Sequence, residues 1–256
     1  FASGGVDGVI MMTYRLAPSE LKDLGSRRFP VVVIDNPDAA GWVPSLAVDN
    51  VELGRTATEY LLELGHLRIG FVHGVEGSVT SESRYQGYVQ ALDSRGIELS
   101  PELVAYGGFA YDGGAEAARR LLSIDNRPTA IFAANDQMAL GVINAAAELG
   151  LAVPDDVSVI GVDDIEASSL VAPGLTTLRQ PTWRWEHVPC RRLWVSSKRR
   201  KGKAKAGQPS RRLSARCFRP NWSCEDHASP GGRGHIGGRR QGSMTARDTQ
   251  GRLNFW

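Results

Sequence analysis

The sequence predicts an α/β protein built on parallel sheets, and three observations carry the prediction. Over residues 1–181, short apolar runs of strand length alternate with amphipathic stretches of helical length. This is the βαβα succession that a parallel sheet with right-handed crossovers produces. The runs are nearly unbroken in β-branched and apolar residues, as in VDGVIMM (6–12) and PVVVID (30–35), which suits strands covered on both faces. Polar residues gather where the runs stop, at the end of an open sheet where ligands are held.

Taken in order, VDGVIMM is a strand and APSELKDLGSRR (17–28) a short helix, with Pro18 near its first turn and Gly25 near its end. PVVVID and SLAV (45–48) are strands. NVELGRTATEYLLELG (50–65) is a helix with Leu53, Ala57, Tyr60, Leu61 and Leu64 on its apolar face and Gly65 closing it. LRIGFVHG (67–74) is a strand, 80–95 a helix, LVAYGG (103–108) a strand, 113–124 a helix and TAIFAAN (129–135) a strand. A helix over 136–149, the strand VSVIGVDD (157–164) and a last strand-like LTTLRQ (175–180) complete the pattern.

Charge divides the chain. At 256 residues with 42% hydrophobic content it is long enough to bury a core. Its net charge of +2, however, averages two unlike pieces. Residues 1–181 hold 12 Lys+Arg against 24 Asp+Glu, whereas 182–256 hold 18 against 4. All three cysteines (Cys190, Cys217, Cys224) and five of the six tryptophans lie in the second piece, which contains only six Val, Ile or Leu and so offers no periodic apolar face. Three readings of this tail stay open: a basic segment that binds nucleic acid non-specifically, a zinc or disulfide module, or translation out of frame after about Pro181. Cys217, Cys224 and His227 lack the paired spacing of a zinc site. The abrupt switch to Arg, Gly, Trp, Cys, Ser and Pro favours the frameshift. GRGHIG (232–237) fits a dinucleotide loop in letters only, since CEDHASP before it does not read as a strand and GRRQG at its end does not read as a helix. The expected division is a partial N-terminal lobe at 1–49, a second lobe and hinge crossover at 50–181, and an aperiodic basic tail at 182–256, disordered or out of frame. The chain opens on Phe1 rather than Met, as a fragment would.

No catalytic constellation emerges from the motifs. The sequence has no GxSxG elbow, GxxxxGK[ST] loop or HExxH, and no cysteine before residue 190. His66 is expected to hydrogen-bond backbone in a helix-to-strand turn, and His73 to sit more openly at a strand end. The rim of strand ends carries Asp35, Asp49, Asn50, Asn135, Asp136, Asp163 and Asp164, with Arg84 opening onto it from the following helix. Carboxylates accept hydrogen bonds, amides do both and a guanidinium donates in a fixed fork, so this is a set for gripping hydroxyls. For each residue taken singly, helix capping is an equal explanation; for the pair at 135 and 136, Asn135 is expected to hold a ligand and Asp136 to cap. Asp35 and Asp163 as a sugar hydrolase's acid pair would leave the Asn and Gln unexplained. No cofactor and no metal site is expected.

The stretch FAANDQMALGVINAAAELGLAVPDDVSVIGVDDIEASSLVAPGLTTLRQP (132–181) resembles the effector-binding core of the LacI/GalR family of bacterial transcription regulators. VDGVIMM, FPVVVIDNP, VDNVELGRTATEYLLELGHLRIGFVHG and SESRYQGYVQAL follow in that family's order. The resemblance implies a periplasmic-binding-protein-like fold: two parallel-sheet lobes with a ligand cleft, the N-terminal lobe incomplete in this chain. It also implies a cytoplasmic, sugar- or nucleobase-responsive repressor whose intact form is a homodimer and reads operator DNA through a helix-turn-helix headpiece absent from this chain. Carried over residue by residue, Arg84, Asn135, Asp163 and Gln180 match the family's ligand contacts and Asp35 a first-lobe contact. Phe109 falls where an aromatic stacks on the ligand, with core packing an equal alternative. An exported sugar-binding protein of a transport system, which shares the lobe architecture, is the alternative; a glycoside-processing enzyme is a third and more distant one.

Overall fold

The computed structural model describes residues 8–13, 16–26, 30–180, 216–218 and 221–223. In chain order its strands are β1 (Val9–Met12), β2 (Val31–Ile34), β3 (Ser45–Val48), β4 (Ile69–His73), β5 (Val104–Tyr106), β6 (Ala130–Ala133), β7 (Ser158–Asp163), β8 (Thr176–Arg179), β9 (Arg216–Phe218) and β10 (Asn221–Ser223). Its α-helices are α1 (Pro18–Ser26), α2 (Asn50–Glu63), α3 (Val79–Ser94), α4 (Tyr111–Leu122) and α5 (Asp136–Glu148). Short 3-10 turns at Pro37–Ala39, Pro101–Leu103 and Glu166–Ser169 join them. The alternation anticipated from the apolar runs is therefore present, with ends displaced by a few residues. The strands β9 and β10 are elements that the aperiodic tail does not announce; otherwise the expectations for the tail lie outside the described residues.

The described residues form two compact units. One comprises those up to 49 together with 78–80 and 216–218; the other comprises 50–77, 81–180 and 221–223. The first unit has a sheet in the order β1-β2-β3-β9, parallel at every pairing. Every residue of VVVI in β2 is buried, and Leu21 of α1 packs with Val31, Val33, Ala39 and Val43. Gly25, expected to end α1, lies inside it. A Cβ there would come within 2.7 Å of the Trp42 carbonyl oxygen, so the glycine serves close approach rather than termination.

The second unit has the sheet order β10-β8-β7-β6-β4-β5. All its pairings are parallel except that of β10 with β8. Strands β4 and β6 are buried throughout, which is why they read as unbroken apolar runs. Phe71, Phe132, Ile131, Leu121, Met138 and Ile160 fill the core. Three helices end alike: Gly65, Gly96 and Gly150 adopt positive φ. In α2, Gly65 N donates to Leu62 O and His66 N to Leu61 O, the paired bonds of a glycine-closed helix end. Leu64, expected on the apolar face of α2, is 46% exposed, because the helix has already closed at Glu63.

Helix pairs touch at glycines. A Cβ on Gly54 would overlap the Arg84 carbonyl oxygen, and one on Gly87 the Val51 carbonyl oxygen, so α2 and α3 meet backbone to backbone. Gly114 and Gly141 do the same between α4 and α5.

Candidate ligand-binding site

The sheet order of the second unit places four of the predicted residues, Gln180, Asp163, Asn135 and Phe109, along one rim. Strand β4 is followed in sequence by β5 on one side and β6 on the other, so the topological switch lies between β4 and β6, where open α/β sheets bind ligands. Past the carboxyl ends come Gln180 after β8, Asp163 at the end of β7, Asn135 after β6, Gly74 after β4 and Phe109 after β5.

Arg84 is the centre of the cluster. Only 2% exposed, it donates from Nε to Asn50 Oδ1 at 2.9 Å and from Nη1 to the Ala134 carbonyl oxygen, and Nη1 lies 4.0 Å from Asp163 Oδ1. Asp163 Oδ1 also accepts from Gln180 Nε2 at 2.5 Å. The other atom of the Gln180 amide, Oε1, is buried with no hydrogen-bond partner. A buried guanidinium thus faces a part-exposed carboxylate, with an amide on either flank: Asn50 on the cation, Gln180 on the anion. Such a group can donate to and accept from the same hydroxyl.

Asn135 departs from its expected division of labour with Asp136. Its Oδ1 accepts from Met138 N at 3.0 Å, which makes it the N-cap of α5, and its Nδ2 donates to Phe109 O at 3.2 Å. Asp136, expected to cap, is fully buried. Its carboxylate accepts from Thr177 Oγ1 at 2.6 Å, Ser168 Oγ at 2.8 Å and Ile165 N at 3.0 Å. Gly161 leaves the space, since a Cβ there would overlap Asp136 Oδ1. Burial raises the Asp136 pKa above the ordinary carboxylate value against the pull of these donors. Asp136 therefore ties β7, β8 and the turn between them to the start of α5, and so sets the spacing of Asp163 and Gln180 from Asn135.

Phe109 is part-exposed, and its ring lies against Gly74, where a Cβ would overlap it. Gly107 N donates to His73 O at 2.8 Å, holding that loop to the end of β4. The ring therefore sits over backbone at the rim and is not part of the buried core. Asp35 belongs to the first unit, where Thr80 Oγ1 donates to its carboxylate at 3.4 Å. Positive φ among the described non-glycine residues falls at Asp35 (59°), Phe109 (63°), Asp163 (130°) and Asp164 (58°), and three of these four are predicted ligand residues. Strained backbone concentrates at functional sites.

Three expectations are corrected by the geometry. His66 bonds the hydroxyls of Thr129 (2.9 Å) and Ser158 (3.1 Å) rather than backbone, joining the starts of β6 and β7. His73 is 2% exposed, stacked on Tyr106 with ring centroids 4.8 Å apart and bonded to Ser81 Oγ; burial depresses its pKa to about 4. Asp164, for which helix capping was the alternative, pairs with Arg179 instead. The sequence reading placed Asn50 on the rim but did not count it among the ligand residues. The signal that would have found it is the pair Gly54 and Gly87, one on each helix, which lets α2 approach Arg84.

Known proteins match this chain in sequence and in fold. Residues 58–193 match the protein family described as "Periplasmic binding protein-like domain". The HTH-type transcriptional repressor CytR of Escherichia coli (strain K12) is 38% identical over 179 residues, 70% of this chain and 52% of that protein. The HTH-type transcriptional repressor PurR of Mannheimia succiniciproducens is 40% identical over 181 residues, 68% of this chain and 53% of that protein. This chain thus spans about half the length of the curated relatives it matches. Among solved structures, a sugar-binding transcriptional regulator of the LacI family from Escherichia coli, complexed with phosphate, superposes with a TM-score of 0.72 at 29% identity. That match covers 86% of this chain and 77% of that one.

Proposed function

The chain belongs to the periplasmic-binding-protein-like family, as an effector-binding domain of the LacI-type transcriptional regulators, and on that premise we propose that its second unit holds a small hydroxyl- or amide-bearing effector, a sugar or a nucleobase. The relatives are regulators rather than enzymes. The observation that carries the proposal is the buried Arg84 set against the part-exposed Asp163, with Asn50 and Gln180 flanking them at the carboxyl rim of the sheet. In this reading Arg84, Asp163, Gln180 and Asn135 bind the effector's polar groups and Phe109 covers an apolar ring face. Asn135 contributes with what capping leaves it: the second Nδ2 hydrogen and the second Oδ1 lone pair.

The biological role that fits is that of a cytoplasmic repressor. Effector binding shifts the balance between conformations of a homodimer and so changes its affinity for operator DNA. DNA reading would rest with a helix-turn-helix headpiece outside the described residues. A thermal-shift screen of the full chain against D-ribose, D-glucose, sucrose and hypoxanthine tests the ligand class. A ligand at about 100 times its Kd stabilises the folded state by ~2.7 kcal/mol, a rise in Tm easily read. The proposal predicts such a rise for at least one of the four. No rise with any of them at about 10 mM, a concentration roughly a hundredfold above a Kd of order 0.1 mM, sinks it.

A further inference from the structure

Asn50 is the first residue of α2 and stands at the boundary of the second unit. It is 3% exposed, and its neighbour Arg84 is 2% exposed. An arginine buried to that degree needs its donors matched. Asn50 Oδ1 takes Nε at 2.9 Å and Ala134 O takes Nη1, which also lies 4.0 Å from Asp163 Oδ1. The close meeting of α2 and α3 at Gly54 and Gly87 brings Asn50 within reach of Arg84. The other half of the Asn50 amide is unmatched: Nδ2 is buried with no hydrogen-bond partner. A buried donor without a partner carries a free-energy cost, and such groups call for a specific reason. A second orphan is Gln180 Oε1, on the amide whose Nε2 donates to Asp163 Oδ1. One orphan is a donor and the other an acceptor, which is the complement of a hydroxyl or a ring amide.

Resting on the ligand-binding reading above, we propose that Asn50 is a positioning residue of that site: its Oδ1 fixes the Arg84 guanidinium, and its unmatched Nδ2 donates to a hydrogen-bond acceptor on the effector. An aliphatic residue at this position would leave Arg84 Nε without its acceptor. An aspartate would keep the acceptor and lose the donor. The two substitutions therefore separate the halves of the proposal.

The test uses the full 256-residue chain labelled with nitrogen-15 arginine. The Arg84 Nε–H resonance is expected to be protected from exchange near neutral pH in the wild type and in Asn50→Asp, and lost in Asn50→Leu. With whichever of D-ribose, D-glucose, sucrose and hypoxanthine the wild type binds, Asn50→Asp is expected to bind about tenfold more weakly, although it keeps the Arg84 resonance and the melting temperature. A merely structural asparagine would not give that split. Survival of the resonance in Asn50→Leu overturns the hold on Arg84, and wild-type affinity in Asn50→Asp overturns the donor role. A wild type that binds none of the four overturns the donor role together with the ligand reading; the resonance then decides the hold on Arg84 independently.

Discussion

Replacing Asp136 with alanine tests how the rim is held together. The carboxylate is fully buried and receives three hydrogen bonds, from Thr177 Oγ1, Ser168 Oγ and Ile165 N. Truncation leaves two buried hydroxyls and a backbone N–H without an acceptor, and opens a small void. At ~1–3 kcal/mol for each donor left unmatched, less what the hydroxyls recover by rotating, the loss comes to about 3–5 kcal/mol. An asparagine in place of the acid would keep one oxygen for Ser168 and Ile165 and turn an N–H toward Thr177 Oγ1, which can accept it, so Asp136→Asn costs less. Its cost also depends on pH. Burial raises the folded-state pKa of Asp136, so between the unfolded value and that raised value the folded state binds the extra proton, and wild-type stability falls as pH rises through this window. The asparagine lacks that dependence, so its deficit is larger near the ordinary carboxylate pKa of about 4 than near pH ~7. Urea unfolding followed by far-UV circular dichroism measures the losses, and hydrogen exchange at the Ile165 amide reports the broken tie locally. A double-mutant cycle of Asp136→Ala with Thr177→Val should show a coupling of about 1.5 kcal/mol or more. A loss below about 1 kcal/mol with unchanged exchange at Ile165 would refute the account of Asp136 as the tie between β7, β8 and α5.

Other consequences follow from the same contacts. Gly161→Ala puts a Cβ into the Asp136 carboxylate and should destabilise by about 2 kcal/mol, less than additively when combined with Asp136→Ala; additive losses in urea melts would count against a shared cause. His73, held neutral by burial with a pKa of about 4, loses stability to protonation of the unfolded chain: the contribution is whole above about pH 6.5 and declines as pH falls toward about 4, by about 3 kcal/mol in all. An imidazole NMR titration midpoint near the ordinary value of about 6.5 would contradict this. Gly54→Ala drives a Cβ into the Arg84 backbone and is expected to cost about 2–3 kcal/mol and to weaken effector binding, because α2 carries Asn50. A variant that melts and binds like the wild type would show that the helices do not need to touch.

The sequence disclosed the scaffold more fully than the bonding within it. Strands such as PVVVID and TAIFAAN are local signals, and so is the glycine at 65, because a helix end needs positive φ whatever surrounds it. The residues of the rim were legible for a related reason: they are polar and stand where apolar runs stop. Their individual roles were not. Asn and Asp cap helices about equally well, so the adjacent pair Asn135 and Asp136 cannot be told apart locally. What decides it lies 32 and 41 residues further on, at Ser168 and Thr177, which claim the Asp136 carboxylate. His73 reads as open because it ends a strand; Tyr106 and Tyr85 pack their rings on it from β5 and α3. Asn50 was hidden in the same way, since its importance comes from a helix crossing set by Gly54 and Gly87.

Isothermal titration of the full chain, wild type beside Asp163→Asn, with D-ribose, D-glucose, sucrose and hypoxanthine in turn, tests the central claim most directly. Asp163 is part-exposed, so its amide variant preserves the packing while removing a charged acceptor worth ~1.5–3 kcal/mol, roughly 10- to 100-fold in affinity. The account predicts saturable one-site binding of at least one of these compounds by the wild type and a loss of that size in the variant. Heat from none of them, or equal affinity in the two proteins, would contradict it.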